Sequence, residues 1–315
     1  MLDWTDRHCR YFLRLISQHS VLYSEMITTG AILYGDTERH LAMSAQEQPV
    51  ALQLGGSDPN DLAAACKIAD NYAYSEINLN CGCPSDRVQN GMFGAVMMKN
   101  AKITADCVAA MIDATTLPVT VKHRIGVDDF DSYDFLCQFV GTVAESGCST
   151  FLVHARKAWL QGLSPKQNRE VPELNYDRVY QLKKDFPDLE FIINGGISTL
   201  DESVTHLNNI DGVMLGREAY TNPYILSQVD RIIYGDEKPI KTREKIAEEF
   251  VEYVDNEMAK GVKLNAMTRH ILGLYHGMPG ARQFRRHISE NAYKSTATID
   301  VLINALKFTS GASTR

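Results

Sequence analysis

The sequence predicts an α/β fold, a (β/α)8 TIM barrel whose first strand is largely missing, followed by a C-terminal all-helical domain. Three observations carry that expectation. Short apolar or β-branched runs recur with helix-patterned segments between them, polar residues gather at one end of those runs, and strand signals stop beyond Tyr234. Strand alternating with helix implies parallel strands joined by right-handed crossovers.

The runs are VLYSEMI (21–27), PVALQL (49–54), EINLN (76–80), PVTVKHRI (118–125), STFLVHA (149–155), EFIIN (190–194) and DGVMLG (211–216). Each is brief and strand-like. Between them DLAAACKIADNY, ITADCVAAMIDATT, DSYDFLCQFVGTVAES and TLDESVTHLNN carry helical periodicity, with Asp61, Thr104, Asp131 and Thr199 where N-caps are expected. Met1 and Leu2 read as the stump of a further strand, which favours a barrel over an open sheet. Gln53, Asn80, Lys122 with Arg124, His154, Asn194 and Gly216 with Arg217 fall at or just past the C-terminal strand ends, the face on which a barrel builds its active site. GDEKPIK reads as a linker, and four helix-like stretches follow it. The expected division is a catalytic barrel domain over 1–235 and a helical domain over 240–310.

Composition bounds the function. A chain of 315 residues, 44% hydrophobic, buries a sizeable core. No run reaches the roughly 18 uninterrupted apolar residues of a membrane helix, and MLDWTDRHCR lacks the zones of a signal peptide, so the expected location is cytoplasmic. Seven cysteines, an odd number scattered along the chain, argue for reduced thiols. Cys81 and Cys83 form C-x-C without a second pair or histidine at zinc spacing, and no metal is expected. Residues 260–315 hold nine Lys/Arg against two acids, a net of +7 that leaves −14 for the rest of the chain. Such a basic module on an acidic body hints at a polyanionic partner. Arg282, Arg285 and Arg286 share one helical face there.

The glycine strand ends are the most mechanical signal. IINGGIST closes one run with Gly195 and Gly196, and VMLGREA closes the next with Gly216 and Arg217. In a barrel the last two strand-to-helix loops offer backbone N–H groups to a phosphate, which points to a monophosphate-bearing ligand. Over the same mouth, Lys122 fits a fixed cation for the negative charge of a reduced flavin, with His154 and Gln53 as hydrogen-bonding partners of the ring. Cys83 sits on a glycine-flanked loop at this face, and its thiol is left as nucleophile or acid.

DWTDRHCRYF, SEMITTGAILYGDTERHL, INLNCGCPSDRVQNGMFGA, PVTVKHRIGVDD, FLVHARKAWLQGLSPKQNREVPELNY, INGGIS, GREAYTNPYI and HGMPGARQFRRHISENA run essentially end to end. Through these segments the chain resembles the tRNA-dihydrouridine synthases, specifically the bacterial A branch. The resemblance implies an FMN-dependent enzyme that reduces the C5–C6 bond of uridine in the D-loop of tRNA, in the elbow region, with NADPH reducing the flavin first. It points to positions 20 and 20a. It further implies that Cys83 protonates C5 after hydride reaches C6. The implied flavin residues are Gln53, Lys122, His154, Asn194, Gly195, Gly196, Gly216 and Arg217; Asn80 would hold the uracil, and Lys166, Arg169, Arg282 and Arg285 would contact tRNA.

One departure stands out. The family's first strand ends in Ala-Pro-Met beside the flavin, whereas this chain starts at the Met, so Met1 is the remaining cofactor neighbour and the sheet is expected to have an open edge. Two other readings compete. A dihydroorotate-type oxidoreductase of free pyrimidines explains the flavin site but leaves the basic helices idle; a non-catalytic tRNA-binding protein would bind tRNA without flavin.

Overall fold

The computed structural model describes residues 1–85, 88 and 91–309. Seven parallel strands lie in sequence order: β1 (Leu22–Thr28), β2 (Val50–Gly55), β3 (Glu76–Cys81), β4 (Val119–Arg124), β5 (Thr150–His154), β6 (Glu190–Asn194) and β7 (Gly212–Met214). Each pairs with the next. Helices Pro59–Ala69, Ala101–Ala114, Tyr133–Ala144, Tyr176–Asp185 and Leu200–Leu207 fill the crossovers. This is a partial (β/α)8 barrel with a helical extension, as the alternation predicts. Among the described residues, no strand joins β7 back to β1.

Register places the site. Asn80 pairs with Lys122, Arg124 with His154, and His154 with Asn194. Side chains alternate between the two faces of a strand, so Thr120, Lys122 and Arg124 share one face of β4. Val121 and His123 take the other, where the His123 ring packs against Phe139 and Phe151 and burial pulls it down to about 4.

Helix starts depart from the sequence reading at three of four positions. Asp58, Asn100 and Ser132 are the caps, each accepting from backbone N–H groups of its helix's first turn. Asp61 lies inside its helix, Thr104 Oγ1 donates to the carbonyls of Met97 and Asn100, and Asp131 instead receives Lys157. Thr199 caps as expected, with Glu202 closing a reciprocal box.

Packing divides the described residues into two units: residues 1–2 with 21–216, and residues 3–20 with 217–309. This corrects the expected boundary at 235–240, since residues 3–20 and 217–235 belong with the helices; Ser310, at the end of the expected helical domain, lies outside the described residues. The physical reason is the apolar stripe of helix Arg7–Ile16, in which Cys9, Phe12, Leu13 and Ile16 are buried. Phe12 meets Phe250 edge-on at 5.0 Å, Tyr11 stacks on Tyr253, and Arg7 pairs with Glu257. Asp6 caps that helix by accepting from Cys9 N–H (2.9 Å) and also receives Arg269. No described helix is long and apolar enough to cross a membrane.

Candidate active site

The turn after β3 is built around one amide. Asn80 Oδ1 accepts from the N–H groups of Gly82 (3.1 Å) and Cys83 (2.5 Å), which bends the chain directly out of the strand. The Cys83 carbonyl accepts from Ala95 N–H at 2.9 Å. Gly94 makes that approach feasible: its φ is +76°, and a Cβ there would sit 2.5 Å from the Cys83 carbonyl oxygen. Both backbone polar groups of Cys83 are thus held. Its thiol is half-buried, with Sγ 3.4 Å from Ser85 Oγ. Cys81, by contrast, is fully buried and its thiol is pushed well up by burial.

The other half of the Asn80 amide enters a relay through the barrel interior. Asn80 Nδ2 donates to Gln53 Oε1 (2.9 Å), Gln53 Nε2 to Asn78 Oδ1 (2.9 Å), and Asn78 Nδ2 to Thr120 Oγ1 (2.8 Å). Thr120 then donates to Glu76 Oε1 (2.5 Å), which also accepts from Tyr23 OH (2.7 Å). Burial raises Glu76 above the usual carboxylate range. Every amide in the relay has its oxygen and nitrogen distinguished by its neighbours, so its orientation is fixed. One N–H of Asn80 and one of Gln53 remain for a ligand.

Cations surround the next strand ends. Lys122 Nζ donates to Asn194 Oδ1 at 3.2 Å, and Asn194 Nδ2 donates to the Met214 carbonyl at 2.8 Å. Burial, with Arg124 adjacent, pulls Lys122 down to about 8. Arg124 donates to three backbone carbonyls, and burial lowers it to about 10. His154 is held well below its ordinary value by burial first and then by the charges of Arg124, Lys122, Arg156 and Arg169. Its imidazole is therefore neutral at pH 7, a hydrogen-bonding ring rather than a cation.

The glycine pair closes the site on the β6 side. Gly195 and Gly196 have φ of +118° and +74°. A Cβ on Gly195 would lie 2.5 Å from His154 Cδ2, and one on Gly196 would lie 2.6 Å from Leu174 Cδ1, so only glycine fits either position. Tyr176 OH donates to the Gly195 carbonyl at 2.6 Å and fixes the turn. Gly216 lies beside the Asn194 amide, since a Cβ there would meet Nδ2 at 3.9 Å.

The segment after β5 forms a compact loop around Asn168, which is fully buried. Its Oδ1 accepts from Trp159 N–H (2.7 Å) and its Nδ2 donates to the Trp159 carbonyl (2.8 Å). Lys157 spans the Trp159 ring at 4.1 Å and Asp131 at 2.8 Å. Lys166 and Arg169 are exposed on this loop.

The structure therefore gathers Gln53, Asn80, Cys83, Lys122, His154, Asn194, Gly195 and Gly216 at the C-terminal strand ends. Met1 belongs to the same unit and is 36% exposed. Arg217, Arg282 and Arg285 belong to the helical unit: Arg217 opens helix Arg217–Thr221, and the other two are exposed on helix Ala281–Asn291, whose Ala281, Phe284 and Ile288 face its core. Lys122 and Arg124 meet neutral oxygens in these bonds, and four cations bear on one neutral imidazole beside a glycine turn. That donor set suits an anionic ligand.

The model of the family described as dihydrouridine synthase (Dus) matches residues 1–310. The chain belongs to the dihydrouridine synthase family. It is similar to the tRNA-dihydrouridine(20/20a) synthase of Escherichia coli (strain K12), with 59% identity over 308 residues, 98% of this chain and 89% of that protein. The synthase of the same description from Yersinia pestis is 58% identical over 311 residues, covering 98% and 90%. That from Vibrio cholerae serotype O1 is 58% identical over 307 residues, covering 97% and 94%. As a member of this family, the chain is an enzyme, a flavin-dependent oxidoreductase.

Sequence reasoning assigned no role to Arg124, Asn78, Asn168 or Tyr176. Alternation along β4 exposes Arg124, since Thr120, Lys122 and Arg124 all point inward. Nothing local marks Asn168 or Tyr176, whose partners lie 9 and 19 residues away.

Proposed function

We propose that this protein reduces the C5–C6 double bond of uridine in the D-loop of tRNA, at positions 20 and 20a, using FMN and NADPH. The single observation that supports this reading best is the pinned Cys83 turn beside Lys122 and Arg124, within a chain of this family. With FMN bound, the flavin would supply the hydride chemistry for uracil C6, the reducing equivalents coming from NADPH.

The chain's own residues do the rest. Cys83 donates the proton to C5, so hydride and proton together add two hydrogens across the bond. The sulfur is left negative, and the cations of Lys122 and Arg124 stabilise it there without reorganising. Asn80, with Oδ1 already committed to the turn, offers its remaining Nδ2–H to a uracil carbonyl. Gln53, Lys122, His154, Asn194, the backbone of Met1, and Gly195, Gly196, Gly216 and Arg217 are the residues that would hold the flavin. Gln53 would offer one N–H, Lys122 a fixed cation, neutral His154 and Asn194 hydrogen-bonding groups, and the glycines with Arg217 donors for the phosphate. Lys166, Arg169, Arg282 and Arg285 contact the RNA phosphates in the elbow region. Extruding a stacked uracil costs a few kcal/mol, which such contacts offset.

The test is product mapping. Purified protein, FMN and NADPH are incubated with an unmodified tRNA transcript and separately with free uridine. Dihydrouridine at positions 20 and 20a, with none from free uridine, is the expected result. Product from free uridine alone would instead favour an oxidoreductase of small pyrimidines, and RNA binding with neither product nor flavin would overturn the enzymatic mechanism.

A further inference from the structure

Arg124 joins two segments that sequence leaves far apart. Its Nε donates to the Gly82 carbonyl at 2.9 Å, and Gly82 shares a peptide bond with Cys83. Its Nη1 donates to the carbonyls of Asn168 (2.8 Å) and Lys157 (3.2 Å), at the two ends of the loop that Asn168 closes. The side chain is almost fully buried at 3% exposed, so water is a poor substitute for these three bonds. A planar guanidinium presents its donors in a fixed fork, so one side chain spans all three acceptors; an ammonium at the same place is a point donor.

We infer that Arg124 is the positioning residue that locks the Cys83 turn to the loop over 157–169, so that the thiol and the loop keep one shared geometry. Both ends of the lock are stiff. Asn80 and Ala95 hold the backbone of Cys83, and Asn168 holds the loop through Trp159. Between them lies a single guanidinium. The cations that act on it are Arg169 and Arg156, with Lys122 on its own strand and the neutral His154 ring on the adjoining strand end. Because Lys166 and Arg169 ride on the loop, anything that shifts them is transmitted to the peptide before Cys83. This last consequence rests on the proposed function; the lock itself does not.

Hydrogen–deuterium exchange of the full-length protein with its cofactor tests the lock. In Arg124→Lys, amides over 79–85 and over 157–169 should both exchange roughly tenfold faster, while helix Tyr133–Ala144 keeps its wild-type rate. Asn168→Ala, which leaves Arg124 in place, should produce a smaller parallel rise in both segments and covers the case in which Arg124→Lys does not fold. Faster exchange in one segment alone, or in neither, overturns the inference. As a kinetic readout, Asn168→Ala should lower the rate of dihydrouridine formation several-fold while NADPH oxidation without tRNA stays at the wild-type rate; a parallel fall in both rates would overturn the positioning role. Absence of dihydrouridine from the wild-type enzyme would refute the proposed function and leave the exchange result standing.

Discussion

The barrel mouth and helix Ala281–Asn291 both collect positive charge, in opposite physical settings. Arg124 is buried and Lys122 half-buried; both are bonded to neutral oxygens and lowered by desolvation to about 10 and about 8. Arg282, Arg285 and Arg286 stand in solvent, and Arg286 pairs with Glu290 at 2.7 Å. In low dielectric a charge acts strongly and with little screening, so its position is decisive. In water a charge acts weakly and salt screens it beyond a Debye length. The same side-chain chemistry therefore serves reaction in one region and capture in the other.

Five substitutions would break or sharpen that contrast, the largest effect first. Cys83→Ala should lower dihydrouridine formation by on the order of a hundredfold or more while NADPH oxidation persists. Nucleoside mass spectrometry of the tRNA product decides it, and normal yield would remove Cys83 from the acid role. Lys122→Met should weaken FMN binding roughly tenfold, measured by flavin fluorescence in the refolded apoprotein. The pH dependence carries the sign. Lys122 is a cation below about 8, so wild-type FMN affinity should fall as pH rises through that value and the variant's should not. The unfolded chain keeps that proton to about 10.4, so the native state binds fewer protons across the interval and apoprotein stability should rise with pH there. Lys122→Met should abolish that rise.

Tyr176→Phe should be milder, since it removes one hydrogen bond to the Gly195 carbonyl. A net loss of about 1 kcal/mol corresponds to roughly fivefold in FMN affinity, with the thermal midpoint little changed. The smallest and most diagnostic effects belong to the exposed helix. Arg285→Ala should weaken tRNA binding at every salt concentration and reduce the salt slope by about one. Arg286→Ala should do less, because Glu290 already offsets that charge. Equal losses in the two variants would mean that the helix does not discriminate between paired and unpaired arginines.

The parts legible in sequence are those set by local periodicity. All seven strands fall where the apolar runs place them, and β-strand register carries Asn80, Lys122, His154 and Asn194 to neighbouring ends. Exact helix starts were less legible, because DPND and DSY offer adjacent residues of equal capping chemistry and only the backbone decides between them. The domain boundary failed for another reason. Helix Arg7–Ile16 has an apolar stripe, yet nothing in its own residues says that Phe250 will cover it. Asn168 and Tyr176 likewise act through partners that are distant in sequence, which no side-chain pattern advertises, whereas the alternation along β4 does place Arg124 inward beside Lys122.

That N-terminal helix has a consequence for biosynthesis. Made well before its partner, Phe12 must wait until more than two hundred residues later Phe250 is made. The helical unit is thus closed only by the last part of the chain, and a fragment starting at Arg217 would lack one wall. A circular permutant that fuses residues 3–20 to the C-terminus, rather than a simple excision, is the form in which this unit could be produced alone.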